Sequence, residues 1–204
     1  IDEFTSFHEA MARRIIEATP KGVGVMEFGA RRADGLDAAN DSSIYGIMAG
    51  CFGTSNCMAA DMLNMKAIGT MAHSWIESFD SELEAFKVFA KTYPENCILL
   101  VDTYDTLKSG IPNAIKVFKY MEENGIPTNN IGVRIDSGDL AYLSKKLRKM
   151  FDEAGKPYIK IVASNSLNED TIRSINEEQN APIDSFGVGE NLITSSDCPV
   201  FGGV

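Results

Sequence analysis

The sequence predicts an α/β protein of parallel strands, arranged as a partial or complete (β/α) barrel. Short apolar runs typical of buried strands alternate with helical patterns along most of the chain, and crossovers of this length join parallel strands. The predicted strands end in polar residues or glycines, and no Gly-x-Gly-x-x-Gly motif opens the first crossover. We therefore favour a barrel over an open doubly wound sheet, and we expect the strand ends to converge on one pocket.

The first half of the chain alternates helices with short strands. Residues 1–18 have the spacing of an amphipathic helix with Phe4, Phe7, Met11 and Ile15 on one face, and Pro20 ends it. Apolar runs and turn residues predict the other elements of this half: a strand at 23–28, a helix of small residues at 35–51, a turn at 53–56, a helix that ends at Leu63 after a Ser55 or Asn56 cap, and a strand at 66–70.

The second half repeats the alternation around a central strand at 131–135. The helix after that strand carries the apolar stripe Leu140, Leu143, Leu147, Met150 and Phe151. We treat residues 1–204 as a single α/β barrel domain. The other elements predicted in this half are a helix at 81–92, a strand at 98–101, a helix that stops at Asn124-Gly125, a strand at 158–163, a helix at 169–179 and a strand at 183–186.

Composition and charge exclude several classes of protein. With 204 residues, of which 44% are hydrophobic, the chain is long enough to bury a core. Its formal net charge of −10 argues against a nucleic-acid or anionic-membrane surface, because either would need a basic face. No apolar run approaches the roughly 20 residues of a membrane span, and no signal peptide is evident. We expect neither a nucleic-acid nor a membrane partner.

The four cysteines predict a reducing, cytoplasmic location. Cys51, Cys57, Cys97 and Cys198 show no Cys-x-x-Cys spacing and lie in apolar or mid-element contexts. We predict neither a disulfide framework nor a zinc site. Because the chain begins without Met and stops within an apolar segment at 201–204, we also expect it to be an excised piece of a longer protein.

The end of the central strand carries the strongest functional signal. Arg134, Asp136 and Asp139 crowd at the carboxyl end of an apolar strand, where burial without partners would be costly. A charged ligand would supply partners, since a guanidinium binds phosphate or carboxylate through two hydrogen bonds. The structural alternative is that Asp136 or Ser137 caps the next helix and that Arg134 pairs with an aspartate.

His73 is a candidate catalytic residue. It lies in a loop of small residues, Thr70 to Ser74, and it needs an orienting carboxylate, for which Asp102 at the end of the next strand is the candidate. A lone histidine is more often structural or exposed, so that alternative stays open.

Polar groups and glycines follow the remaining strands. Gly187 and Gly189 resemble the backbone phosphate grip of many barrels, although two glycines in a loop also form an ordinary turn. Arg31 fits an anion grip or an ion pair with Glu27. The strand-end aspartates either hold magnesium together with substrate phosphate oxygens or cap helices; they are Asp102, Asp105, Asp136 and Asp139.

Taken together, these motifs resemble the nicotinate phosphoribosyltransferase family. They occur in the family's order and span nearly the whole chain, so their combination is far more specific than any one motif. The matching stretches are Glu27-Phe28-Gly29-Ala30-Arg31-Arg32, Gly53-Thr54-Ser55-Asn56, Gly69-Thr70-Met71-Ala72-His73-Ser74, Val101-Asp102-Thr103-Tyr104-Asp105, Val133-Arg134-Ile135-Asp136-Ser137-Gly138-Asp139 and Phe186-Gly187-Val188-Gly189.

The resemblance implies an irregular barrel of the type II phosphoribosyltransferase kind, incomplete in this chain. It also implies a reaction in which nicotinate and phosphoribosyl pyrophosphate give nicotinate mononucleotide and pyrophosphate, coupled to ATP hydrolysis, in the salvage branch of NAD biosynthesis. Family members phosphorylate a histidine in an Ala-His-Ser motif, which here is His73. The implied cofactors are Mg²⁺ and ATP, and the implied assembly is a homodimer with sites near the subunit interface.

The resemblance also implies the role of each candidate residue. Arg31 and Arg134 would hold phosphate, pyrophosphate or the nicotinate ring, and Asp136 would face the ribose. Gly187 and Gly189 would bind the 5-phosphate. The full assignment is His73, Asp102 and Asp136 as catalytic residues, Arg31, Thr70, Arg134, Ser137, Ser164, Asn165, Gly187 and Gly189 as substrate-binding residues, and Asp105 and Asp139 as metal ligands.

Two other functions remain as alternatives. One is a related phosphosugar enzyme that uses nicotinamide or quinolinate instead of nicotinate. The other, from a different class, is a scaffold or oligomerisation piece without activity. Since the N-terminal part that brings an aromatic residue to the pyridine ring is absent from this chain, we expect weak or no turnover from it alone.

Overall fold

The computed structural model describes residues 3–194, with side chains from His8 onward. The described chain divides into two compact units. The first unit contains residues 3–69, 164–180 and 185–194, and the second contains residues 70–163 and 181–184. Every strand pairing within each unit is parallel, which confirms the predicted α/β class.

The first unit is built on three parallel strands with helices packed beside them. Its elements, numbered along the whole chain, are α1 (Glu3–Ala18), β1 (Gly24–Glu27), α2 (Leu36–Ala49), β2 (Gly53–Thr54), α3 (Cys57–Met62), α8 (Glu169–Arg173), β6 (Ser185–Val188) and α9 (Glu190–Ile193). β1 lies between β2 and β6, with Met26 opposite both Gly53 and Gly187. On α1, Met11 and Ile15 are buried as predicted, whereas the side chains of Phe4 and Phe7 lie outside the described residues.

The second unit repeats this plan around β4. Its elements are α4 (His73–Glu77), α5 (Glu82–Thr92), β3 (Cys97–Leu100), α6 (Ile111–Glu123), β4 (Ile131–Ile135), α7 (Leu140–Glu153) and β5 (Lys160–Ser164, whose last residue is grouped with the first unit). β4 lies between β3 and β5, with Leu100 opposite Arg134 and Ile135 opposite Ala163. A π-helical turn, Thr106–Gly110, leads into α6.

Apolar helix faces hold the second unit together. Phe86 of α5, Phe118 of α6 and Phe151 of α7 are fully buried, as are most side chains of β3 and β4. Each such side chain contributes about 1.5–3 kcal/mol by leaving water, whereas an exposed ion pair contributes about 0–1 kcal/mol. The predicted stripes are therefore the main source of stability, and Leu140, Leu147 and Phe151 of the α7 stripe are confirmed as buried.

Helix starts follow the capping residues that the sequence offers. The Asn56 side chain accepts hydrogen bonds from the backbone nitrogens of Met58 and Ala59 at the start of α3, and Ser81 accepts one from Glu84 at the start of α5. These contacts satisfy backbone N–H groups that have no partner within the helix. The predicted Asn56 cap is therefore confirmed.

Two short segments exchange their predicted roles. Residues 53–56, predicted as a turn, contain β2, whereas the strand predicted at 66–70 is wrong. That segment runs without regular structure and makes one backbone hydrogen bond to β2, from the Ile68 nitrogen to the Thr54 oxygen at 2.9 Å. This single bond fixes the segment beside β2 but does not make it a paired strand. Apolar spacing in the sequence cannot distinguish such a segment from a strand.

Two helices also differ from their predictions. The loop predicted from Thr70 to Ser74 runs into α4, so His73 is the first residue of a helix. The helix predicted at 169–179 is α8 followed by a π-helical turn, Ser174–Glu178. Pi-helical turns arise from packing and are not signalled by hydrophobic spacing.

Burial keeps two cysteine thiols protonated. Burial, with a smaller contribution from the Glu27 carboxylate, raises the pKa of Cys51 to about 12, and burial raises the pKa of Cys97 to about 12. Cys57 is exposed, and Cys198 lies outside the described residues. Because the thiolate is the reactive form, burial makes Cys51 and Cys97 poor nucleophiles at neutral pH.

The helices of the described region are all too short or too polar to cross a membrane.

Candidate active site

His73 is positioned by contacts on both sides of its ring. Its Nδ1 atom lies 3.0 Å from the Thr103 hydroxyl, which is hydrogen-bond distance. Its Nε2 atom faces two carboxylates, at 3.7 Å from Asp136 Oδ2 and 4.0 Å from Asp102 Oδ1. The side chain remains 40% exposed, so an incoming group can reach the ring.

Asp102 connects the residues that follow β3 to those that follow β4. Its Oδ2 atom accepts a hydrogen bond from the Asp136 backbone nitrogen at 2.8 Å and another from the Ser137 hydroxyl at 2.5 Å. The side chain is almost completely buried, and Oδ1 has no hydrogen-bond partner among the described residues. Asp102 therefore fixes the backbone of Asp136, while its predicted contact with His73 is at ion-pair distance and too long for a hydrogen bond.

Arg134 crosses from β4 to the segment before α4. Its guanidinium pairs with Asp136 at 3.0 Å and donates to the Thr70 hydroxyl at 2.6 Å. A weaker bond reaches the Met71 carbonyl oxygen at 3.4 Å. The predicted structural alternative is thus right that Arg134 pairs with an aspartate, and that partner is Asp136. The same guanidinium fixes the segment that carries His73.

These residues form one polar group within the second unit, here called the His73 cluster: Thr70, His73, Asp102, Thr103, Arg134, Asp136 and Ser137. The cluster combines a guanidinium, an imidazole and two carboxylates. Such a set can bind an anion through Arg134, stabilise positive charge through the carboxylates and exchange a proton at His73. Its members lie after β3, on and after β4, and around the start of α4.

Asp105 and Asp139 begin helical segments. Asp105 Oδ1 accepts hydrogen bonds from the Leu107 and Lys108 nitrogens at 3.1 and 2.9 Å. Asp139 Oδ1 accepts one from the Tyr142 nitrogen at 2.9 Å, at the start of α7. Within residues 3–194, no three or more His, Cys, Asp or Glu side chains are grouped so that they could hold a metal ion. The capping role explains both carboxylates, and the arrangement does not fit them as a magnesium pair.

The backbone after β5 is unusual. Ser164 is buried, and the next two residues, Asn165 and Ser166, have positive φ angles of 99° and 48°. Non-glycine residues in this conformation cost about 1–3 kcal/mol each and concentrate at functional sites. This corner lies in the first unit and contains two of the predicted substrate-binding residues, Ser164 and Asn165.

The two glycines of the predicted phosphate grip allow close packing. Gly187 lies inside β6 and not in the loop after it, and a Cβ atom there would lie 2.6 Å from the Phe28 ring. Gly189 follows β6, and a Cβ atom there would lie 3.2 Å from the Phe28 carbonyl oxygen. A Cβ atom at Gly29 would in turn lie 2.7 Å from the Gly189 oxygen. Close packing thus accounts for these glycines without a ligand, against the Phe28 ring at Gly187 and against the backbone of Phe28 and Gly29 at Gly189.

The ion pair between Arg31 and Glu27, given above as the alternative to an anion grip, is not what holds Glu27, whose partners lie elsewhere. Arg31 is exposed in a 3₁₀ turn, Ala30–Arg32. Glu27 is fully buried and accepts hydrogen bonds from the Thr54 hydroxyl and the Gly29 backbone nitrogen. Glu27 therefore joins β1 to β2, and Arg31 stays available on the surface of the first unit.

Within the second unit, the structure brings together Thr70, His73, Asp102, Arg134, Asp136 and Ser137 of the predicted set. In the first unit, Ser164 lies beside Gly187, at 3.5 Å from a Cβ atom placed there. Sequence reasoning missed Thr103. The available signal was a hydroxyl residue directly after the strand-end aspartate, in the same motif as Asp102.

A family model confirms the predicted resemblance. The model of the nicotinate phosphoribosyltransferase (NAPRTase) family matches residues 23–198. A nicotinate phosphoribosyltransferase of Bacillus subtilis (strain 168) is 49% identical over 179 residues, which cover 88% of this chain and 36% of the relative. A nicotinate phosphoribosyltransferase of Mycobacterium tuberculosis is 44% identical over 188 residues, which cover 92% of this chain and 39% of the relative.

Solved structures share the fold. Human nicotinic acid phosphoribosyltransferase matches with a TM-score of 0.82 and 25% identity, over 91% of this chain and 47% of that one. Nicotinate-nucleotide pyrophosphorylase from Pyrococcus furiosus matches with a TM-score of 0.78 and 26% identity, over 93% of this chain and 47% of that one. The chain thus spans less than half the length of each of these four proteins.

Proposed function

Since the chain belongs to the nicotinate phosphoribosyltransferase family, we propose that the protein carrying it converts nicotinate and phosphoribosyl pyrophosphate into nicotinate mononucleotide and pyrophosphate. The observation that supports this proposal most strongly is the His73 cluster, in which the histidine of the Ala-His-Ser motif faces Asp102 and Asp136, and Asp136 pairs with Arg134. A purely structural histidine would not need two carboxylates opposite one ring nitrogen.

The glycosyl transfer separates charge in a way that the cluster can stabilise. As the bond between the ribose carbon and pyrophosphate breaks, positive charge develops on the sugar and negative charge on the leaving group. We assign Asp136 to the developing positive charge and Arg134 to the departing phosphates, since the 3.0 Å ion pair already places these opposite charges side by side. Nicotinate then supplies the electron pair of its ring nitrogen to the sugar carbon.

We assign ATP coupling to His73. The γ-phosphoryl group of ATP moves to a ring nitrogen, so that a phosphorus–oxygen bond to ADP breaks and a phosphorus–nitrogen bond forms. The attacking nitrogen uses its lone pair, and the ring then gives up the proton of its other nitrogen. A proton on Nε2 has two acceptors nearby, Asp136 at 3.7 Å and Asp102 at 4.0 Å. The new negative charge lies in the same cluster as Arg134, which pairs with Asp136 and donates to Thr70, and it can order the segment that carries His73.

In the first unit, we assign the corner after β5 to the 5-phosphate end of the substrate. Asn165 and Ser166 hold strained backbone there, and Gly189 follows β6 without a side chain. The exposed guanidinium of Arg31 is a further anion-binding group on this unit. Ser164, Gly187 and Ser137 stay in the proposed substrate-binding set, and so does Thr70, which accepts from Arg134.

The remaining parts of the proposal follow the family. Magnesium would arrive with the phosphates of ATP and phosphoribosyl pyrophosphate, and it needs no dedicated cage because Mg²⁺ is commonly held by one or two carboxylates plus substrate oxygens. We also propose an irregular barrel of the type II kind, a homodimer and a cytoplasmic location for the whole protein, acting in the salvage branch of NAD biosynthesis.

A coupled assay on the full-length protein that contains this chain tests the proposal. Nicotinate mononucleotide is followed with and without ATP for the wild type, for His73→Ala and for Glu153→Gln, an exposed control on α7. We expect ATP to stimulate the wild type and the control, whereas His73→Ala keeps the basal reaction and loses the stimulation. Equal ATP stimulation of His73→Ala would remove His73 from the coupling.

Competing substrates separate the alternatives. We expect nicotinate to be used in preference to nicotinamide and quinolinate, and a protein that prefers either of those would be a different phosphosugar enzyme. Calorimetry with millimolar phosphoribosyl pyrophosphate addresses the scaffold alternative, because a protein that binds none of it under these conditions is not acting on this substrate. The 204-residue chain, assayed alone, is expected to show weak or no turnover.

A further inference from the structure

Within the part of the chain that the structure describes, the His73 ring has one hydrogen bond to a side chain, and its partner is Thr103. The Nδ1 to hydroxyl distance of 3.0 Å is within hydrogen-bond range, whereas the carboxylates opposite Nε2 lie at 3.7 and 4.0 Å. Asp102, the carboxylate predicted to orient the ring, uses Oδ2 to hold the Asp136 nitrogen and the Ser137 hydroxyl. The hydroxyl of Thr103 is therefore the group that sets the angle of the imidazole.

The surroundings of the ring decide which atom donates. A neutral imidazole carries a proton on one nitrogen and a lone pair on the other. A bare Nε2 would direct its lone pair at two anionic oxygens, so the carboxylates of Asp102 and Asp136 favour the proton on Nε2. Nδ1 is then the acceptor, and the Thr103 hydroxyl is the donor.

The exposure of the ring makes this contact necessary. With 40% of its side chain open to solvent, His73 is not held by packing on all sides. A half-exposed imidazole without a hydrogen bond can rotate about its χ2 bond, which has a broad two-fold preference. Rotation would turn Nε2 away from both carboxylates and from the anion-binding arginine beside them.

We propose that Thr103 is a positioning residue for His73. Its hydroxyl donates to Nδ1, holds the neutral ring with the proton on Nε2, and presents Nε2 to the carboxylates of Asp102 and Asp136. Thr103 acts through His73 and does not itself take part in bond making. The expected effect of Thr103 on turnover rests on the proposed function. The hydrogen bond and the protonation state of the ring do not, because both can be observed without substrate.

The experiment measures the ring directly. The chain has only two histidines, His8 and His73, so labelling with ¹⁵N-histidine gives two sets of ring signals, and His73→Gln identifies those of His73. Two-bond proton–nitrogen spectra at alkaline pH, where an ordinary imidazole is neutral, distinguish the protonated nitrogen from the bare one. They also report a hydrogen bond to the bare nitrogen, which shifts its resonance upfield.

Three chains are compared: the wild type, Thr103→Val, which has nearly the same shape without the hydroxyl, and Thr103→Ser, which restores the hydroxyl. We expect the wild type and Thr103→Ser to carry the proton on Nε2 and to show an upfield-shifted Nδ1. In Thr103→Val, the Nδ1 resonance should move downfield to the position of an imidazole nitrogen without a hydrogen bond. Backbone spectra confirm that each variant is folded.

Two results would overturn the proposal. One is a wild-type ring protonated on Nδ1, which would make Thr103 the acceptor. The other is an unchanged Nδ1 resonance in folded Thr103→Val, which would show that no hydrogen bond was lost. In the full-length protein, we further expect Thr103→Val to reduce ATP stimulation at least tenfold and Thr103→Ser to retain it. If the wild type shows no ATP stimulation, the proposed function fails at that step while the ring measurement still decides the role of Thr103.

Discussion

The Oδ2 atom of Asp102 lies 2.8 Å from the backbone nitrogen of Asp136, so the second residue after β3 holds the first residue after β4. Asp102 and Asp136 lie side by side beyond the strands, because each comes two residues after one member of the pair Leu100 and Arg134, which are opposite each other in the sheet. Since the Ser137 hydroxyl binds the same oxygen, one buried carboxylate fixes the start of the charged loop between β4 and α7.

Removing this carboxylate should destabilise the chain. Asp102→Ala leaves the Asp136 N–H and the Ser137 hydroxyl without their acceptor, and we expect the free energy of unfolding to fall by about 2–3 kcal/mol. Asp102→Asn keeps one acceptor oxygen and should lose about half as much. Urea unfolding measures both, with the exposed Asp152→Ala on α7 as a control expected to stay within about 0.5 kcal/mol. The role of Asp102 would be refuted by a loss in Asp102→Ala no larger than in the control.

Arginine at position 134 should not be replaceable by lysine. The guanidinium simultaneously holds Asp136 at 3.0 Å and the Thr70 hydroxyl at 2.6 Å, whereas a single ammonium cannot keep this forked geometry. Loss of one charge-assisted contact is worth about 1.5–3 kcal/mol, which corresponds to roughly a 10- to 150-fold lower kcat/KM. Steady-state kinetics of Arg134→Lys with phosphoribosyl pyrophosphate in the full-length protein measure this loss. Kinetics within twofold of the wild type would contradict the assigned role.

Gly110 should be intolerant of any side chain. At the start of α6, its own backbone is helical, but a Cβ atom would lie 1.9 Å from the Val101 carbonyl oxygen. Since backbone atoms must move to accept it, Gly110→Ala should cost about 3 kcal/mol or more. Gly69→Ala is the matched control, because a Cβ atom there meets nothing within 4 Å. Thermal unfolding compares them, and equal midpoints would show that the backbone at Val101 yields easily.

The ion pair of Glu122 and Lys156 should make stability depend on pH at both extremes. Lys156 donates to both oxygens of Glu122, at 2.6 and 2.5 Å, and the Tyr158 hydroxyl also donates to Glu122. The bonds from Lys156 and Tyr158 lower the pKa of Glu122 below 4.5. Burial alone would lower the pKa of Lys156, but its contacts with Glu122 and Tyr158 raise it above 10.5.

The directions of the two pKa shifts define the pH range in which the ion pair stabilises the fold. A lowered carboxyl pKa stabilises the fold above pH 4.5, and this contribution is lost as the pH falls through the folded-state value. A raised lysine pKa stabilises the fold below pH 10.5, and this contribution is lost as the pH rises through the folded-state value. Glu122→Gln should therefore be less stable than the wild type by about 1 kcal/mol at neutral pH, since the pair is partly exposed.

Urea unfolding at several pH values tests the window. The difference between the wild type and Glu122→Gln should shrink below pH 4.5 and above pH 10.5. Glu153→Gln removes an exposed pair with Lys149 on α7 and should change stability little at any pH. A constant difference across the range would mean that Glu122 contributes by packing and not by charge.

Much of the fold could be predicted because its signals are local. The central strand β4 has the predicted bounds, since a continuous apolar run between turn residues has few other interpretations. The exchange of β2 with the segment at 66–70 has the opposite cause. Two residues of strand pairing carry no period that a sequence pattern can reveal, and only the neighbouring β1 determines which segment pairs.

The residues of the His73 cluster could be named in advance, but their partners could not. Arg134, Asp136 and His73 stand out as charged or titratable groups beside apolar runs. Which of them touch is decided by sheet register and by the short helix α4, whose first residue is His73. Thr103 was missed because a lone threonine in a loop is chemically ordinary until a ring nitrogen lies against it.

The corner after β5 has a consequence for anyone who wishes to engineer a more robust form of this protein. Ser166 keeps a backbone angle that glycine adopts freely, so a glycine there would relieve strain without touching the core. Asn165, its neighbour, belongs to a residue type that tolerates the left-handed conformation better than most. The proposed 5-phosphate site uses the same two positions as this backbone strain, so a library varied at 165 and 166 would measure how far stability can be raised before activity falls.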